Sequence, residues 1–323
     1  MRKFIAAALA GVMTMGLTVS AAEWDVSREI TVVSREDGSG TRGAFVELFG
    51  IEEKIDDKKV DMTTEEAIIT NSTSVMMSTV ASDEYAIGYI SLGSLDDSVK
   101  AVMIDGAKAS VESVKSGDYK VARPFNIATK EEISDAAQDF INFILSEEGQ
   151  AVVEENKYIS VGKSAEEEES EAASETETEE ESETETEIVL LPFESNGAEG
   201  KVTVSGSSSV SPVMQKLKEA YELFNENVEI EIQTSDSTTG MQDVINDISE
   251  IGMASRELKE SEMEEGLIST VIATDGIAVI VNNEHPMNNL TSEQVNEIFT
   301  GAVWCWDEIE EVVVETETEE ETK

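Results

Sequence analysis

The sequence predicts an α/β protein with a mainly parallel sheet covered by helices. Strand-like and helix-like runs alternate along residues 24–163 and again along residues 201–314 of the 323-residue chain. Each stretch has the length of a domain, and a run rich in Glu, Ser and Thr separates them. Three of the turns that lead from a strand into a helix are built from small hydroxyl residues.

In chain order, EITVVSRE (29–36) is a short β-branched strand, followed by a helix that starts at Thr41 and stops at Gly50. AIGYISL (86–92) is a further strand. ISDAAQDFINFILSEEGQAVVEENKY (133–158) is two helices broken near Gly149. In the second stretch KVTVSG (201–206) leads into the helix SPVMQKLKEAYELFN, and VEIEIQTS (228–235) leads into TTGMQDVINDI. TVIATDGIAVIVN (270–282) is a long apolar strand, and LTSEQVNEIF (290–299) places Thr291 and Gln294 at capping-box spacing.

The remaining segments have other readings. Arg2 and Lys3 precede an apolar run over residues 4–19, and small residues then offer a cleavage point after Ala21 or Ala22, so residues 1–22 read as a secretory signal peptide. The mature chain is expected to be exported, to a periplasm, the cell surface or beyond. No Cys follows the apolar run to take a lipid, and Cys305 is the sole Cys, which excludes a disulfide within the chain. No later segment is apolar enough to span a membrane. Residues 164–187 hold Glu, Ser, Thr and Ala without Lys, Arg or aromatic residues, and cannot bury enough apolar surface to order themselves. A disordered acidic linker is expected over 164–200 and an acidic tail over 315–323, and no nucleic acid is expected as a partner of a chain with net charge -48.

The hydroxyl turns are DGSGTR (37–42), GSSSVSP (206–212) and SDSTTG (235–240). Free N–H groups and the positive end of a helix dipole make such a turn an anion site, and hydroxyls add donors at little steric cost. One such turn is an ordinary N-cap. Three in one chain, one of them flanked by Arg35 and Arg42, point to a shared oxyanion pocket. None matches a nucleotide-binding phosphate loop, which needs Gly-Lys-Ser/Thr.

These segments, with IGMASRELK (251–259), AIGYISLGSLDDSVKAV (86–102) and the RPFNIATK segment (123–130), resemble the phosphate-binding subunit of the high-affinity phosphate ABC transporter. The resemblance covers nearly all of both ordered stretches. It implies the two-lobed, type II periplasmic binding protein fold, inorganic phosphate as ligand, no cofactor or metal, and a membrane permease as partner. In the family the VTVSGSSSV segment opens the mature chain and LSEEGQ closes it, whereas here the order is reversed. The chain therefore reads as circularly permuted, with the family's C-terminal half at 24–163 and its N-terminal half at 201–314. A linker of about 37 residues spans roughly 30–36 Å, ample for closing a lobe. One lobe is expected to combine 124–163 with 201–277 and the other 24–123 with 278–314. The opposing reading is a pair of half-proteins that never close a site.

By resemblance, the phosphate ligands are Arg35, Ser39, Gly40 and Thr41 on one turn, Ser208 and Ser209 on the second, and Ser237 on the third, with Ser255 as a further donor. Asp37 is placed to orient Arg35, or is a turn-forming residue before Gly38. Arg42 is a second cation of the site or a solvated helix residue. Many family members carry Asp after the Ser of the AS motif, where it accepts the proton of hydrogen phosphate. This chain has Arg256 there, which leaves Asp236 or Asp275 as the acceptor. Two other function classes bear on the same residues. An enzyme is disfavoured by a single His, His285, and by the lack of a nucleophile elbow. A secreted interaction or cation-buffering protein that uses its polyacidic segments is the rival, although calcium-loop spacing is missing.

Overall fold

The computed structural model describes residues 24–55, 58–164 and 189–309. The expected signal peptide, most of the linker and the acidic tail lie outside these residues. Among the described residues no helix is long and apolar enough to cross a membrane.

Eight strands form the backbone of one sheet: β1 (Thr31–Arg35), β2 (Ile68–Thr70), β3 (Ala86–Ser91), β4 (Ala122–Thr129), β5 (Gly200–Ser207), β6 (Val228–Ser235), β7 (Ile251–Ala254) and β8 (Ile268–Val281). Their spatial order is β6-β5-β7-β4-β8-β3-β1-β2, with a short strand at Lys100–Ala101 also pairing β8. The trios β6-β5-β7 and β3-β1-β2 are parallel, as the alternation of strand and helix demands. Between them β4 and β8 run antiparallel to each other and to their outer neighbours. The sheet is therefore mixed: β4 borders the first trio through β7, and the long β8 pairs with β4 along one part and with β3 of the second trio along the other.

Apolar side chains gather in two main cores. One holds Val32 to Val121 together with Ile277 to Ile309, and the other holds residues from Phe125 to Ala273. We call these lobe A and lobe B. The chain passes between them on β4 and on β8, at Arg123 and at Asp275–Gly276, which are register partners. Each lobe contains residues from both sides of the acidic run.

The helices that carry the site are α1 (Gly40–Leu48), α2 (Thr73–Ser82), α5 (Ser211–Tyr221) and α6 (Ser237–Ile245); α3 (Asp135–Ile144), α4 (Glu147–Glu155) and α7 (Ser292–Thr300) cover the sheet. The break expected near Gly149 comes earlier, at Leu145–Ser146. Ser146 accepts from Gly149 N at 3.2 Å and so makes this glycine part of the first turn of α4. Thr291 and Gln294 form the capping box of α7.

Residues 189–200 correct the linker boundary. Val189–Leu190 pairs in parallel with Lys163–Ser164, Leu190 and Phe193 are buried, and Asn196 N donates to Asp139 Oδ1 at 2.7 Å. The apolar IVLLPF segment that ends the acidic run has surface worth burying, which the Glu-rich part lacks. The ends of the described chain are also tied. Glu29 bridges to Cys305, Ile30 N donates to Trp304 O, and Trp24 packs edge-on against His285.

Candidate functional site

The three hydroxyl turns meet where lobes A and B face each other. β1 ends at Arg35, and Ser39 caps α1 by accepting from Arg42 N at 3.3 Å. From lobe B, β5 ends at Ser207 before α5, β6 leads through Asp236 into α6, and β7 leads into Ser255. The β1, β5 and β6 edges each deliver a hydroxyl to the start of a helix, where main-chain N–H groups are free of intrahelical partners, and β7 adds Ser255 beside them.

Hydrogen bonds cross the cleft. Arg35 Nη2 donates to Ser208 Oγ at 3.0 Å, and the Thr41 and Ser209 hydroxyls lie 2.7 Å apart. Thr238 donates to Gly38 O through both its amide and its hydroxyl, each at 3.2 Å. Within lobe B, Ser255 N donates to Ser237 Oγ at 3.1 Å and Ser207 Oγ donates to Ser255 Oγ at 3.0 Å. Arg35, Ser39, Thr41, Ser208, Ser209, Ser237 and Ser255 are all buried.

Gly40 explains how closely the lobes approach. A Cβ at that position would stand 2.5 Å from Ser237 Oγ and 2.8 Å from Ser255 Oγ, so a hydrogen is what fits. All eight residues assigned to the anion by resemblance are thus drawn into one buried, donor-rich cluster from the three hydroxyl turns and the end of β7.

Three charged side chains singled out in the sequence are held by protein partners. Asp37 does not orient Arg35: its side chain is 97% exposed and it pairs with Arg42 at 3.0 Å. Glu36 takes that role, accepting from Arg35 Nε at 2.8 Å and Nη2 at 2.7 Å in a forked contact. Arg42 is not a solvated helix residue: its side chain is 14% exposed, and Asp61 Oδ2 and Arg35 O accept from its guanidinium at 2.7 Å each. Arg256 is half-buried, not a loose surface residue; its guanidinium is clamped by Glu262 at 2.7 and 2.8 Å and reaches Thr238 Oγ1 at 3.3 Å.

Neither alternative proton acceptor stands free. Asp236 spends its carboxylate on capping α6, accepting from Thr239 N and Oγ1 at 2.9 and 2.6 Å. Asp275 is buried between Arg123 and Ser91. Burial pushes its pKa up to about 6, against the opposing pull of Arg123.

Sequence reasoning missed Ser207, Thr73 and Glu36. Thr73 begins α2 and stands 3.3 Å from Ser209 Oγ, a fourth hydroxyl turn that the run TNSTS (70–74) signals. Behind the site, Ser34 Oγ and Arg35 N both contact Tyr89 Oη, at 2.9 and 3.2 Å, and burial pushes the pKa of that phenol up to about 12. The phenol thus stays protonated. Outside the cleft, Cys305, Asp307 and Glu308 bring potential metal-binding atoms within 4.8 Å of one another. Glu308 there already accepts from Trp304 N and Cys305 N.

A family model described as "PBP superfamily domain" matches residues 2–148 and 173–321. Phosphate-binding protein PstS 2 of Streptococcus agalactiae serotype V is 47% identical over 307 residues, covering 94% of this chain and 96% of that one. Phosphate-binding protein PstS 2 of Streptococcus pneumoniae serotype 4 is 41% identical over 299 residues, covering 93% and 94%. The crystal structure of a phosphate ABC transporter phosphate-binding protein from Streptococcus pneumoniae TIGR4 superposes with a TM-score of 0.63 at 42% identity, over 87% of this chain and all of that one. With a matching family model over most of its length and relatives covered nearly end to end, the chain belongs to the PBP superfamily, among the PstS-type proteins.

Proposed function

We propose that this protein captures inorganic phosphate between its two lobes and delivers it to an ABC-type importer. The carrying observation is the convergence of Arg35, Ser39, Gly40 and Thr41 with Ser208, Ser209, Ser237 and Ser255 across one cleft. Hydroxyls and helix-start amides donate to four oxygens at once, and Arg35, already aimed by Glu36, adds a charge-assisted donor. Relatives named as phosphate-binding proteins support the same ligand.

No step of bond making is needed for this role, which agrees with the transport proteins among its relatives. Export is part of the reading. So is a permuted order of the halves, supported by the tie between residues 24–30 and 304–307. Isothermal titration with phosphate, sulfate and calcium tests the function. Phosphate binding at one site per chain is expected. Calcium binding without phosphate binding would favour the cation-buffering alternative.

A further inference from the structure

An acid–base pair stands at the point where the chain changes lobes. Arg123 on β4 donates from Nη2 to Asp275 Oδ2 on β8 at 3.1 Å, with side chains only 2% and 0% exposed. The other oxygen of Asp275 accepts from Ser91 Oγ at 2.8 Å, at the end of β3, and Gly93 N approaches it at 3.5 Å. The pair is lopsided: Arg123 Nε and Nη1 find no partner among the described residues. Its guanidinium lies over the Phe125 ring at 5.4 Å instead. A buried ion pair with unmet donors is weak as a stabiliser, and apolar replacement often does as well.

Its position gives it another use. In the order β4-β8-β3-β1, Asp275 is the register partner of Arg123, and Ile277, two residues on, is that of Ser91; β1, which ends in Arg35, is the next strand. Burial lowers the proton affinity of Arg123 against the pull of Asp275, and the Arg35 charge adds a smaller push in the same direction as burial. Tyr158 faces Asp275 from the segment after α4, and burial together with that carboxylate raises its pKa, so it stays neutral. The charged or titratable groups around Asp275 are thus Arg123, Tyr158 and, one strand further, Arg35.

We propose that Asp275 is a protonation-controlled counterweight to Arg123 and so sets how much positive charge a bound anion feels beside Arg35. When ionised, Asp275 cancels Arg123. When protonated, it leaves Arg123 to reinforce Arg35, and the site holds phosphate more tightly in mild acid than its other donors alone would allow. The inference rests on the phosphate reading above. Asp275 is a positioning and field residue, not a ligand contact.

The test is titration calorimetry of inorganic phosphate into the full chain, comparing wild type, Asp275→Asn and the double variant Arg123→Gln/Asp275→Asn at the same pH. The protonation of phosphate itself then cancels in each ratio. At about pH 8, Asp275→Asn is expected to bind about three- to tenfold more tightly than wild type, and the gap should close to less than about twofold near pH 5. The double variant removes both charges, so it should match wild type within about twofold near pH 8 and bind about three- to tenfold more weakly near pH 5. If Asp275→Asn does not fold, the double variant carries the test alone. Ratios that do not change with pH, or weaker binding by Asp275→Asn near pH 8, overturn the proposal while leaving phosphate binding intact. Absence of phosphate binding by wild type at both pH values overturns the functional reading, and this inference with it.

Discussion

In the proposed role Arg35 carries most of the site's attraction, since its guanidinium contacts Ser208 of the opposite lobe. Arg35→Ala is expected to cost roughly 1.5–3 kcal/mol of phosphate binding, about 10- to 150-fold, read by calorimetry. Its two acidic neighbours should separate cleanly. Glu36→Gln loosens the fork that aims Arg35 and should weaken binding, while Asp37→Asn, which touches only Arg42 at the surface, should change affinity by less than about twofold. Equal effects of the two would contradict the assignment. Sequence reasoning found the hydroxyls because strand-turn-helix patterns force them to a strand edge. It gave the orienting role to Asp37, or left Asp37 as a turn former, and passed over the adjacent and chemically alike Glu36; which one pairs with Arg35 depends on which the β1-to-α1 turn faces inward. The same holds for Arg256, whose partner Glu262 sits six residues on in a short helical turn that no local pattern ties to the site.

At the scale of elements, the strand–helix alternation was legible because each unit carries its own apolar period and cap. The antiparallel pair β4 and β8 was not, because pairing between residues 122–129 and 268–276 is non-local and leaves no trace in either segment. Nor was the aromatic tie at the described chain ends, where His285 packs against Trp24 and Trp306 with ring centroids 4.5 and 4.1 Å away. Burial, with a smaller contribution from Lys100, lowers the His285 pKa to about 3. The unfolded chain therefore takes up this proton more readily, so stability present above about pH 6.5 is lost progressively as pH falls toward about 3. Thermal melts of His285→Phe should show a shallower loss over that window than wild type. An identical slope would mean that other groups, not this ring, carry the acid sensitivity.

At the scale of the molecule, the two lobes are each assembled from both sides of the acidic run, so the site exists only when both parts of the chain are folded together. The backbone at Lys163–Ser164 lies beside Val189–Leu190. Removal of residues 166–185 leaves residues 165 and 186–188, which reach at most about 14 Å, enough to join neighbouring strands. That deletion should leave circular dichroism and phosphate affinity nearly unchanged, and loss of folding would assign the acidic run a structural role. The net charge of -48 does not oppose anion capture, because charges beyond about 10 Å are screened at 0.1 M salt while the buried donors act at contact.

A double-mutant cycle across the cleft tests the shared pocket most directly. Ser39 belongs to lobe A, where its hydroxyl accepts from Arg42 N, and Ser237 to lobe B, where its hydroxyl meets Ser255, so a common ligand is what couples them. The account predicts that phosphate titrated into wild type, Ser39→Ala, Ser237→Ala and the double variant shows each single change weakening binding, with effects that depart from additivity by about 0.5 kcal/mol or more. Full affinity in Ser237→Ala, or strict additivity of two small effects, would contradict a pocket built from both lobes around one anion.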